Sequence, residues 1–159
     1  MDAIGDLVKM RVMGSNGINE VLWAEVAEEG FVLLNTPFFA EEYNNKDVVC
    51  GKPVSRTEYV QQGVPTYECT GLVRRGGYGT IRVLFDDPVE DCNEAKELVN
   101  VFVSLGCSCE ATDGIHGVAP NLLVFMIPPE AHWSKVRSVV DAYTAGCKSI
   151  KSIVSSDLN

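Results

Sequence analysis

The chain holds only two histidines, His116 and His132, and no apolar run approaching bilayer length. A helical span needs about 20 consecutive apolar residues. Met1 is followed by Asp2, Asp6 and Lys9, a start unlike a signal peptide. No membrane partner and a cytoplasmic location are therefore expected. Basic residues are also scarce: 13 Lys and Arg stand against 22 Asp and Glu, for a net charge of −9. Such a surface repels phosphate backbones and argues against nucleic-acid binding. It attracts a partner with a basic surface. Internal repeats, low-complexity segments and a Pro/Gly/Ser-rich linker are all absent.

What remains is a globular composition. Of 159 residues, 46% are hydrophobic and 22% charged, enough to build a sizeable core. Six cysteines stand at 50, 69, 92, 107, 109 and 147. A cytosolic chain of this size needs no disulfide framework. Cys92 and Cys107 read as small buried hydrophobes.

Two halves differ in pattern, with the change near residue 79. Residues 1–79 read as short strands: Leu7–Val12, Val21–Val26, Phe31–Leu34, Asp47–Gly51, Thr57–Val60 and Tyr67–Val73. They are rich in β-branched and aromatic residues and are separated by turn signals such as Asn16-Gly17 and Glu28-Glu29-Gly30. A small curled β-sheet or barrel is expected. Residues 80–159 alternate strands and helices. Thr80–Phe85 is a strand, and Asp87-Pro88 with Glu90 reads as a capped helix start. Cys92, Ala95, Leu98, Val99, Phe102 and Leu105 then recur at helical spacing up to Gly106. Cys107–Thr112 and Leu122–Ile127 follow as strands. Pro128-Pro129 reads as the start of a second helix, with Trp133, Val136, Val140 and Tyr143 on one face. Ser149–Val154 is the last strand. The resulting order, β-α-β-β-α-β, is that of a ferredoxin-like sandwich. The fold class expected is therefore α+β.

The most distinctive stretch is Leu22-Trp23-Ala24-Glu25, then Asn35-Thr36-Pro37-Phe38-Phe39-Ala40, then Asp47-Val48-Val49, with Gly77-Tyr78-Gly79-Thr80-Ile81-Arg82-Val83 later. It resembles an uncharacterised bacterial family known only as a domain of unknown function. The resemblance covers roughly residues 7–127 and departs at Lys46, where glycine commonly precedes the aspartate. It implies a bacterial origin and no particular activity. Some members lie beside toxin genes, which implies an immunity role. The residues themselves read mainly as core: Trp23, Phe31, Phe38 and Phe39 cluster as buried aromatics do. The functional alternative is an aromatic-lined pocket with Asn35 and Asp47 as its polar contacts.

Other motifs carry less chemistry. Arg74-Arg75-Gly76-Gly77-Tyr78-Gly79 resembles a phosphate cradle but lacks the Lys-Ser/Thr of a P-loop. It reads as a glycine-rich bend joining the halves, with solvated arginines. Cys107-Ser108-Cys109 places two thiols on one strand face, yet no second pair completes a four-ligand zinc site. No metal or cofactor is expected. A nucleophilic pair of Cys109 with His116, in the loop Asp113–Asn121, lacks a visible orienting group. Asp86, Asp87, Glu90, Asp91, Glu94 and Glu97 form the densest acidic run, and Glu41 and Glu42 add to it. Part of that run suits a helix N-terminus. The excess reads as a docking patch.

The sequence thus points to a non-enzymatic protein-binding module, an acidic immunity protein that covers a toxin with a basic surface. Its partner-binding residues are Glu41, Glu42, Asp86, Asp87, Glu90, Asp91 and Glu94. The rival is a small-molecule or nucleotide-binding regulatory domain using Asn35, Asp47, Arg74 and Arg75, which rests on fold analogy. A hydrolase or transferase using Cys109 or His116 is a third reading.

Overall fold

The computed structural model describes residues 6–54, 63–111 and 121–156. The chain is a strand-rich α+β protein that divides into two compact units, Met1–Tyr78 and Gly79–Asn159. The expected strand Thr57–Val60 lies outside the described residues.

In the first unit, β1 (Leu7–Met13), β2 (Asn19–Ala27), β3 (Gly30–Leu33), β4 (Val48–Pro53) and β5 (Thr66–Arg74) close into a barrel in chain order. Successive strands pair antiparallel, while β1 and β5 pair in parallel. Parity requires this: with an odd number of up-and-down strands, the first and last run the same way. Closure removes the exposed edges that invite aggregation. Period-two alternation fills the interior. Val8, Met10 and Val12 from β1 meet Leu22 and Ala24 from β2, Leu33 from β3 and Val49 from β4. Full burial of such side chains stabilises by about 1.5–3 kcal/mol each, as an upper figure.

That alternation corrects the reading of Trp23. Its neighbours Leu22 and Ala24 point inward, so Trp23 points outward and is exposed. Phe31, Phe38 and Phe39 are only half-buried. Lys9 lies over the Trp23 ring at 5.4 Å.

The second unit runs β6 (Gly79–Phe85), α1 (Asn93–Ser104), β7 (Ser108–Ala111), β8 (Leu122–Ile127), α2 (Trp133–Gly146) and β9 (Ile150–Ser156). Its antiparallel sheet has the order β7-β8-β6-β9. Ile81, Val83 and Phe85 of β6 and Leu123, Phe125 and Ile127 of β8 form a core with Ala95, Leu98 and Phe102 of α1 and Val136 of α2. Phe102 and Phe125 pack at 4.5 Å between centroids, tilted by 47°. The stop of α1 is as the sequence suggests. Gly106 takes φ +94°, Cys107 N–H donates to Phe102 O at 3.0 Å, and Gly106 N–H donates to Val103 O at 3.1 Å. This is the double hydrogen bond of a Schellman closure.

Both helix starts differ from expectation. Asp87 and Glu90 do not cap α1. Pro88 is extended at ψ 140°, Val89–Asp91 makes one 3-10 turn, and Cys92 is the N-cap without a side-chain hydrogen bond. Nor do Pro128 and Pro129 open α2, which begins at Trp133 after His132. Pro128 instead serves the approach: its carbonyl accepts from Ala131 N–H at 3.1 Å and from the Trp133 indole at 3.0 Å.

Candidate functional site

The connection between β3 and β4 is held by a dense set of side-chain hydrogen bonds. Its chain must turn sharply, so its backbone N–H groups cannot all find sheet partners, and buried donors are costly when unmet. Side chains supply the acceptors. Glu20, on β2, accepts from Phe38 N–H at 2.6 Å, Phe39 N–H at 2.8 Å and Ala40 N–H at 3.3 Å. Asn35 Oδ1 accepts from Trp23 N–H at 3.2 Å, fastening the corner to β2. Thr36 Oγ1 accepts from Asn45 N–H at 3.0 Å. Asp47, fully buried, accepts from Asn44 N–H at 2.9 Å and from Gly76 N–H at 3.0 Å.

Asp47 also meets Arg75, whose Nη1 lies 2.8 Å from Asp47 Oδ2 and 2.6 Å from Glu42 O. The arginines of the glycine-rich bend are therefore not simply solvated. Arg75 neutralises a buried carboxylate, and Arg74 pairs with Glu29 at 2.8 Å on the surface. Gly76 sits directly over the Lys46 backbone, where an added Cβ would fall 2.1 Å from Lys46 O. Lys46 itself is held at φ +66°, in the left-handed region. The departure from glycine noted there is thus a strained position. Of the residues suggested for a ligand pocket, Asp47 and Arg75 come together, while Asn35 and Arg74 have separate partners. All three contacts lock a turn.

Nearby, burial raises the Tyr43 hydroxyl far above its ordinary range, and the Cys69 thiol beside it raises it further. Burial likewise raises Cys69, partly offset by its hydrogen bond with Tyr43. Both groups stay neutral at physiological pH.

In the second unit, Asp86, Asp87, Glu90 and Asp91 are exposed along the link from β6 to α1. Among the described residues, no cation pairs with them. Glu94 differs, because it accepts a hydrogen bond from the Cys147 thiol and is half-buried. It lines an open cleft of about 320 Å3 with Glu97, Ala142, Tyr143, Gly146 and Cys147. Burial raises the Tyr143 hydroxyl, and Glu97, Cys147 and Glu94 add to the shift. Glu41 and Glu42 are exposed in the first unit.

Cys109 is a poor nucleophile here. Burial, with Glu110 adding, pushes its thiol up to about 12, and burial pushes Cys107 up to about 11. The thiolate, the reactive form, is scarce at neutral pH. His116 lies outside the described residues. All six cysteines are free thiols. Among the described residues, no helix is long and apolar enough to cross a membrane.

Sequence reasoning missed Glu20, and it read Gly76 only as part of the glycine-rich bend, without its close approach to Lys46. Glu20 stands just before the Leu22–Glu25 run but belongs to no motif, and its three donors lie 18 to 20 residues away. Only the hydrogen-bond need of the Phe38–Ala40 backbone hints at it.

The fold is similar to that of a solved hypothetical protein from Neisseria gonorrhoeae, at 14% identity and a TM-score of 0.64, covering 100% of this chain and 99% of that one. No curated protein matches the chain. A family model does, over residues 20–149, and that span holds Glu20, the corner, the acidic link and the cleft. The chain belongs to the family described as a domain of unknown function, DUF4265.

Proposed function

We propose that this protein is a non-enzymatic binding module that docks a basic protein surface, acting in the cytoplasm as an immunity protein that neutralises a toxin. One observation carries the reading. Asp86, Asp87, Glu90 and Asp91 are exposed, make no described ion pair, and do not cap α1. Four carboxylates within six residues repel one another, and that cost is recovered when a cationic surface covers them. We assign the second unit to the ferredoxin-like sandwiches, a reading that its β-α-β-β-α-β order and its β7-β8-β6-β9 sheet support.

The rival, an anion-binding regulator, has less support. Arg74 and Arg75 are engaged by Glu29 and Asp47, and the cleft of the second unit is lined by carboxylates that repel phosphate. The test is capture of protein partners with the native chain as bait, repeated with Asp86, Asp87, Glu90 and Asp91 all changed to lysine. A basic partner held by the native chain and lost by the variant is expected. Equal capture by both would remove the acidic link from the interface.

A further inference from the structure

We infer that the outer face of the β1–β2 hairpin is a self-association surface whose occupant is a second copy of this chain. The register puts Leu7, Lys9, Arg11 and Met13 of β1 on that face, beside Glu25, Trp23 and Val21 of β2. Leu7 is 51% exposed, Met13 58%, Val21 48% and Trp23 43%. These are four of the nine large hydrophobic side chains exposed among the described residues, gathered on two paired strands. A solvated strand face ordinarily carries polar residues at these positions. An exposed tryptophan beside an arginine is also the side-chain chemistry that dominates protein interfaces.

Charge selects the occupant. The chain carries −9, so two copies repel over most of their surface. The hairpin face is the exception. Lys9 and Arg11 stand there against Glu25, and Glu68 of the neighbouring β5 bridges Arg11 at 3.4 Å and Lys52 of β4 at 3.6 Å. Those five charges sum to +1, which leaves −10 for the remainder of the chain. A two-fold pairing requires a self-complementary patch. Here an apolar strip is flanked by charges of both signs that nearly cancel within each copy, so two strips can meet without the repulsion that the rest of the surface imposes. The barrel is closed, so association proceeds face to face and not by adding a strand at an edge.

The strip is small. Seven residues of β1 span about 20 Å at roughly 3.4 Å per residue, below the extent of a tight permanent interface. The dimer is therefore weak and concentration-dependent. Sedimentation equilibrium of the full chain, from micromolar to near-millimolar, should show mass rising toward twice the monomer. Val21→Glu buries an extra charge in the pair and should weaken association at least tenfold. Its position is exposed, so its melting temperature and circular dichroism should match the native chain. Trp23→Phe, which keeps an aromatic ring, should retain association within a few-fold. A native chain that stays monomeric throughout, or association that Val21→Glu leaves unchanged, overturns the inference. This outcome is independent of the acidic link, which lies in the other unit.

Discussion

The Asp47 carboxylate and the Arg75 guanidinium meet at 2.8 Å across 28 residues of sequence, the acid fully buried and the arginine side chain 44% exposed. The pair ties the end of the first unit's last strand back onto the turn before β4. Removing the acid leaves Asn44 N–H and Gly76 N–H without their acceptor. Asp47→Ala should therefore cost about 2–4 kcal/mol, toward the lower end because Arg75 regains water. Arg75→Ala should cost less than Asp47→Ala, since two N–H donors still serve the carboxylate. Urea unfolding of both variants and of the double variant measures the coupling. An Asp47→Ala loss under 1 kcal/mol would refute this account.

Lys46 and Gly76 make opposite predictions at one contact. Lys46 occupies a φ of +66°, which costs an L-residue roughly 1–2 kcal/mol. Lys46→Gly removes that strain but adds chain entropy to the unfolded state, at about 0.5–1 kcal/mol. A net gain of about 0.5–1 kcal/mol is expected from those two terms. Gly76→Ala instead drives a methyl against the Lys46 carbonyl, so the barrel should lose most of its stability or fail to form. Thermal unfolding of the two variants decides, and a neutral Gly76→Ala would sink the argument.

Glu20 should matter more than its strand position suggests. Its carboxylate takes three backbone N–H groups, and hydrogen bonds to a charged acceptor are the stronger kind. Glu20→Gln keeps the shape but removes the charge and one acceptor, for an expected loss of about 1–3 kcal/mol. Hydrogen exchange at Phe38, Phe39 and Ala40 should quicken in the variant before exchange in β1 does. Unaltered exchange there would contradict the assigned role.

Much of this architecture was legible in the chain because it rests on local periodicity. Alternation marks β1 and β2, helical spacing marks Ala95, Leu98 and Phe102, and Gly106 marks a stop. What failed was the inference from composition to environment. Trp23 reads as core because it is large and apolar, yet the same alternation that buries Leu22 and Ala24 turns it outward. Asp87-Pro88 reads as a cap because the residue types suit one, yet Pro88 stays extended and the helix starts later. The acceptor role of Glu20, and that of Asp47 toward Arg75 and Gly76, depend on partners 18 to 29 residues away, which no local pattern encodes.

The thiols give a pH-dependent prediction. Cys107 and Cys109 are raised by burial from 9.0 to about 11 and about 12. The folded state therefore holds protons that the unfolded chain releases near 9.0. Their contribution is present in full below that value and is lost as pH rises toward 11 and 12. Cys109→Val should flatten the decline in unfolding free energy above pH 9, and an unchanged slope would count against the burial argument. At pH 8, alkylation of the native chain should label exposed Cys50 well before Cys107 and Cys109.

The acidic link yields the sharpest functional prediction. Asp87→Lys with Asp91→Lys reverses the local field and leaves Cys92, Ala95, Leu98 and Phe102 in the core. Glu94 is better left alone, because its hydrogen bond with Cys147 would confuse docking with stability. Both changed positions are exposed, so stability should shift by only about ±0.5 kcal/mol. Rim charges act mainly on encounter, since long-range attraction raises the association rate while short-range contacts set dissociation. The native association rate with a basic partner should therefore fall as salt shortens the screening length. The variant should start slower, depend little on salt, and dissociate at nearly the native rate. Stopped-flow association at two ionic strengths, beside thermal unfolding, measures all three. A variant with native association rates at both salts would show that these carboxylates do not steer the partner. A variant with slowed association and lost melting temperature would instead place Asp87 and Asp91 in the stability of the β6–α1 link.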